Sequence, residues 1–139
     1  MAGTDRTSAA LARAAVAARG KAYAPYSRFR VGAAVRAGGR IHAACNVENA
    51  SYGLTVCAER AAVAGAVAAG ARAVEAVAVA SGTVPPTPPC GMCLQTLAEF
   101  AGPGLPVLLV GGRGSRRRTT LGELLPQAFG KRFLREPVR

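Results

Sequence analysis

Residues 74–110, VEAVAVASGTVPPTPPCGMCLQTLAEFAGPGLPVLLV, carry the pattern on which the fold turns. Val74, Val77 and Val79 suit a buried strand, and Gly82 to Pro89, with four prolines, must be loop or extended chain. Cys93 to Phe100 then reads as a helix closed by Gly102-Pro103-Gly104, and Pro106 to Val110 as a compact strand. A strand, a helix and a strand in that order predict a parallel pair joined by a crossover.

Working outward, Ala58 to Ala69 is an Ala-rich helical stretch with Gly70 as its stop, so Cys57 falls at a helix mouth. Before it, Val31 to Ala37 and Arg40 to Asn46 flank Gly38-Gly39, which supplies the positive φ of a tight hairpin turn. Thr7 or Ser8 can cap a first helix, with Leu11, Ala14, Ala15 and Ala18 at helical spacing and Gly20 at its end. Two βα units after a hairpin predict an α/β fold: a mixed sheet with helices on its faces. Beyond Gly112 only Leu121, Leu124 and Leu125 stand out, as a short helical turn before Pro126.

The chain has 139 residues, 50% of them hydrophobic and 18% charged, which suits one domain and excludes a disordered class. No apolar run approaches the ~18 residues of a membrane span, and no secretory signal is evident, so a cytoplasmic location without membrane association is expected. The net charge of +11 suggests a polyanionic partner until it is mapped. From Ile41 to Gly112 the only bases are Arg60 and Arg72 against Glu48, Glu59, Glu75 and Glu99, so the motif-bearing middle is net negative. The excess lies on the flanks, densest at Arg113, Arg116, Arg117 and Arg118, with no aromatic residue in that run to stack a base. Nucleic acid is therefore not the expected partner.

Four cysteines in a reducing compartment favour metal or catalytic use over disulfides. Cys90-Gly-Met-Cys93 alone could be a redox dithiol or half of a zinc finger. If both helices start on one side of the sheet, Cys57 can join that pair, because parallel βα units bring their helix N-termini side by side. Cys45 is either a fourth ligand closing the site or a buried free thiol. Glu59, two residues after Cys57, favours an open three-thiolate zinc site, since a carboxylate there can take a proton from water.

The residues 22–34 (AYAPYSRFRVGAA), 45–52 (CNVENASY), 57–60 (CAER) and 89–93 (PCGMC) together resemble the small cytidine deaminases, a family of homotetrameric zinc enzymes. The resemblance spans roughly Ser8 to Phe129. It implies a three-layer α-β-α domain over residues 1–139 with about five strands, residues 1–7 being flexible and 130–139 a basic tail. It further implies that Cys57, Cys90 and Cys93 hold Zn2+ and that Glu59 is the proton shuttle. Phe29 would pack on the pyrimidine, Asn46 and Glu48 would hold the ribose hydroxyls, and Ala58 would complete the substrate contacts. A Glu near the sugar favours free nucleosides over nucleotides, since it would repel a phosphate.

The implied activity is hydrolysis of a cyclic amidine C–N bond: cytidine and 2′-deoxycytidine to uridine and 2′-deoxyuridine, in pyrimidine salvage. A deaminase of a modified cytosine nucleoside, of the blasticidin S type, is the alternative, and a basic zinc-stabilised nucleic-acid-binding module the remoter one. Residues 123–129 (ELLPQAF) resemble the segment in which a Phe, here Phe129, reaches a neighbouring subunit's site. Arg60 matches one of two arginines that offset the thiolate charge in the family, whereas Leu94 stands where the second is usual.

Overall fold

The computed structural model describes residues 2–135, with side chains from Asp5 onward. Helix α1 (Ala2–Arg19) is followed by strands β1 (Gly32–Ala37) and β2 (Arg40–Cys45), helix α2 (Ala58–Ala68), strand β3 (Ala76–Ala80) and helix α3 (Gly91–Phe100). Strands β4 (Pro106–Val110) and β5 (Arg116–Thr120) and the single turn α4 (Leu121–Leu124) follow. The sheet order is β2-β1-β3-β4-β5; only β3 and β4 are parallel, and the other neighbours are antiparallel.

Strand alternation sorts two cores. Ala33, Val35, Val77, Val79, Val107 and Leu109 point to one face, where α2 and α3 cover them with residues such as Ala62, Val63 and Leu97. Ala34, Ala78, Ala80, Leu108 and Val110 point to the other and pack on Leu11, Ala12 and Ala15 of α1. The small residues on this second face bring α1 so close that a Cβ on Gly32 would lie 2.0 Å from the Ala15 carbonyl oxygen. The expected three layers and mixed five-stranded sheet are present.

Local signals explain the boundaries. Gly38 and Gly39, with φ of +59° and +74°, make the two-residue turn that pairs Ala37 with Arg40. At the end of α2, Gly70 adopts φ +102°, its N–H bonding the Val67 carbonyl at 2.9 Å while the Ala71 N–H bonds the Ala66 carbonyl at 3.0 Å. These paired bonds satisfy the last carbonyls of the helix.

Two expectations need correction. Helix α1 runs back to Ala2, so Thr7 and Ser8 lie within it instead of capping it. Arg118 holds this end across the sheet, 3.8 Å from the Asp5 carboxylate and 3.4 Å from the Ser8 hydroxyl. Helix α3 begins at Gly91 instead of Cys93, making Cys90 its N-cap. The stretch Arg116–Thr120, without apolar alternation in its arginines, is the fifth strand. Of the expected tail, Lys131–Leu134 forms a 3-10 turn tied to α3 by a 3.1 Å Lys131–Glu99 ion pair, and residues 136–139 lie outside the described residues.

Candidate metal centre

Because β1 is antiparallel to both β2 and β3, those two strands run the same way, and α2 and α3 start at the same edge of the fold. Cys57 and Cys90 are the N-caps, each in extended backbone, their carbonyls accepting the first helical bonds from Ala61 and Leu94, both at 3.0 Å. Cys93, fully buried in the first turn of α3, completes a trio whose sulfurs all lie within 4.8 Å of one another. Cys45, at the end of β2, is not part of this group.

The donor set fits zinc. The Cys90 and Cys93 sulfurs stand 3.6 Å apart, far longer than a disulfide of about 2.05 Å. Two thiolates at ~2.3 Å from one tetrahedral ion would be separated by roughly 3.8 Å. Burial, then the Glu59 carboxylate and Cys57, push the Cys93 thiol far above its ordinary range. Burial also acts against ionisation of Cys90, but the N–H groups of Cys93 and Met92 and the neighbouring thiols bring it below its usual value. Acidic groups crowded at two helix N-termini are relieved by a divalent cation.

Beside the trio is a largely apolar cavity of about 190 Å³. Its wall includes Cys57, Cys90, Ala58, Phe29, Asn46 and Glu59. Glu59 is buried in the first turn of α2, and Ala58 is fully buried beside it. Arg60 donates Nη2 to the Thr55 carbonyl at 2.9 Å, not to a sulfur, while its buried Nε has no acceptor among the described residues. Leu94 lies in the core beneath α2 and α3 and brings no charge to the thiols.

Asn46 is 92% buried, and its amide is engaged by the chain on both sides. Oδ1 accepts from the Val31 N–H at 2.9 Å and Nδ2 donates to the Phe29 carbonyl at 2.8 Å. One lone pair and one N–H remain for a ligand. Glu48 does not line the main cavity; it lies in an adjoining hollow with Tyr26, Ser27 and Tyr52, the two sharing Thr55. Its carboxylate accepts from the Ser27 hydroxyl and from the N–H groups of Tyr26 and Ser27 at 2.9 and 3.1 Å. Phe129 is outside both: it is exposed, stacks on Phe133 with centroids 5.9 Å apart, and is held by Gln95 Nε2 on its carbonyl at 2.9 Å.

Three hydroxyl residues escaped the sequence reading. Ser81 and Thr87 line the cavity and are joined through Thr83 by contacts of 3.1 and 2.6 Å. Ser81 borders and Thr83 and Thr87 lie within the proline-rich loop, without motif spacing, and only the return of that loop over the end of β3 makes them neighbours.

Residues 5–108 match the family model described as the cytidine and deoxycytidylate deaminase zinc-binding region. The chain is 48% identical over 118 residues to a cytidine deaminase of Sporosarcina psychrophila, covering 84% of this chain and 87% of that one. It is 47% identical over 110 residues to a cytidine deaminase of Mycobacterium tuberculosis, covering 78% and 79%. The crystal structure of a cytidine deaminase from Burkholderia pseudomallei superposes with a TM-score of 0.82 at 52% identity, covering 86% of this chain and 97% of that one.

Proposed function

The chain belongs to the cytidine and deoxycytidylate deaminase family, and from that premise we propose how its own residues carry out the reaction. It is a zinc-dependent hydrolase that deaminates cytidine. The observation that carries this reading is the meeting of three cysteine sulfurs at two adjacent helix N-termini, with Glu59 buried on the wall of the same cavity.

Cys57, Cys90 and Cys93 would hold the zinc, which would supply a Lewis acid able to bring the pKa of water down to about 7. Glu59 accepts a proton from the attacking water and delivers it to the ring nitrogen beside the amino-bearing carbon. The oxygen left by that water bonds the amino-bearing carbon, and Glu59 takes the second proton from this oxygen and passes it to the amino group; the C–N bond breaks, ammonia leaves and uridine, with that oxygen as its carbonyl, remains. Burial of Glu59 keeps competing water from that proton.

Phe29 packs on the pyrimidine and Ala58 closes the cavity floor. Asn46 uses its remaining lone pair and N–H on the ribose, and Glu48 takes a ribose hydroxyl from the adjoining hollow. Arg60, through its unpartnered Nε, offsets thiolate charge that Leu94 leaves unanswered. Residues 1–139 act as one domain, and 2′-deoxycytidine is a second substrate, in pyrimidine salvage.

The working form is a homotetramer in which Phe129 reaches a neighbouring subunit's pocket. Its exposure away from its own cavity, stacked on the likewise exposed Phe133, supports this. Among the described residues no helix is long and apolar enough to cross a membrane, and four free thiols suit the reducing cytoplasm where we place the enzyme.

Substrate choice is tested by following ammonia release and loss of absorbance with cytidine, 2′-deoxycytidine and blasticidin S. The reading expects turnover of the first two; turnover of blasticidin S alone would overturn it.

A further inference from the structure

The segment from Arg28 to Val31 has two faces. Phe29 and Val31 line the cavity beside the cysteines, whereas Arg28 and Arg30 line a separate groove of about 390 Å³ built by Ala22, Tyr23, Ala24 and Pro25. The geometry points to this second groove as a binding site for a phosphate-bearing anion, held between the two guanidinium groups.

The groove is a shaped feature. Arg28 takes φ +59°, uncommon for a residue other than glycine, and its N–H bonds the Ala24 carbonyl at 2.9 Å. Tyr23 is fixed from both sides, its N–H on the Asn46 carbonyl at 3.0 Å and its carbonyl on the Glu48 N–H at 2.8 Å. The Arg30 carbonyl accepts from Arg19 Nε at 3.2 Å, which anchors that residue to the end of α1. The volume lies within the roughly 300–1,000 Å³ usual for small-ligand sites.

Its charge has no answer within the protein. Among the described residues, neither Arg28 nor Arg30 forms an ion pair. Asp5, Glu75 and Glu99 are paired with Arg118, Arg36 and Lys131. Glu123 accepts from the Thr119 hydroxyl, Glu48 from the 26–27 turn, and Glu59 is buried. Each described carboxylate other than buried Glu59 thus has a partner within its own chain, and none of these partners is Arg28 or Arg30. Two forked guanidiniums match phosphate oxygens bidentately. The inference does not depend on the nucleoside reading.

The test is calorimetric titration of the intact protein with inorganic phosphate and with ribose 5-phosphate at constant ionic strength. Neither probe carries a pyrimidine. Saturable binding of one phosphate group per chain is expected, and tighter binding of the ester would identify a phosphorylated metabolite over free phosphate as the ligand. Arg28→Gly with Arg30→Gln should weaken binding at least about tenfold. Arg28→Gly keeps a residue suited to positive φ, and Arg30→Gln alone, expected to weaken binding in the same direction, guards against misfolding of the pair. Arg117→Gln, on β5, should leave affinity unchanged. Absence of saturable binding, undiminished binding in the double variant, or an equal loss in Arg117→Gln would overturn the assignment.

Discussion

The Asn46 side chain donates to the Phe29 carbonyl at 2.8 Å while accepting from the Val31 N–H at 2.9 Å, so one buried amide holds the strip of chain that walls the cavity. Asn46 is thus a clamp on Phe29. Asn46→Ala leaves two backbone groups unsatisfied in a site that is 8% exposed and should cost about 1–3 kcal/mol of stability. Urea unfolding measures that loss, and KM for cytidine should rise in the same variant.

Glu48 gives a pH signature. The Ser27 hydroxyl, against a smaller opposing effect of burial and with help from the N–H groups of Ser27 and Tyr26, holds its carboxyl below the ordinary value of 4.5. A depressed carboxylate keeps its contacts above the unfolded pKa and loses them as pH falls through the folded one. The Ser27 amide resonance should be constant from neutral pH to about pH 4.5 and titrate below it. Glu48→Gln should abolish that titration.

Gly32 and Gly65 should respond oppositely to alanine. At Gly32 the new Cβ would lie 2.0 Å from the Ala15 carbonyl oxygen and 2.3 Å from the Arg19 nitrogen, forcing α1 off the sheet. A loss of about 3 kcal/mol or more is expected from such overpacking. At Gly65, exposed in the interior of α2, nothing lies within 4 Å, and alanine should stabilise by about 0.5–1 kcal/mol. Denaturant midpoints of the two variants decide this.

Zinc should tie α2 to α3. Chelation should lower Tm, restore on adding zinc, and make Cys57 and Cys90 newly reactive toward a thiol reagent, while Cys93 remains shielded in the core. Unchanged thiol reactivity on chelation would contradict the three-cysteine site.

Most of the site was legible because its chemistry repeats at fixed offsets. Cys57 and Glu59 share one helix turn, Cys90 and Cys93 another, and alternation of Val77 and Val79 implies the strand that brings the helices together. Strand β5 was not legible. Arg116-Arg117-Arg118 has no apolar alternation, and it is a strand because β4 offers hydrogen-bonding partners, Leu109 opposite Arg117 and Leu108 opposite Arg118. Ser81 and Thr87 were hidden for a related reason: a loop's return path creates their proximity. Glu48 is expected on a ribose hydroxyl, whereas its bonds to the 26–27 turn arise from a backbone approach that spacing does not encode.

The central claim is that Glu59 moves the proton at a zinc site built from Cys57, Cys90 and Cys93. Its most direct test is zinc content measured together with cytidine turnover in the native protein and Glu59→Gln. The account predicts one zinc per chain in both and a fall in kcat of at least about 10²-fold in the variant. Native turnover in Glu59→Gln with zinc retained would contradict it.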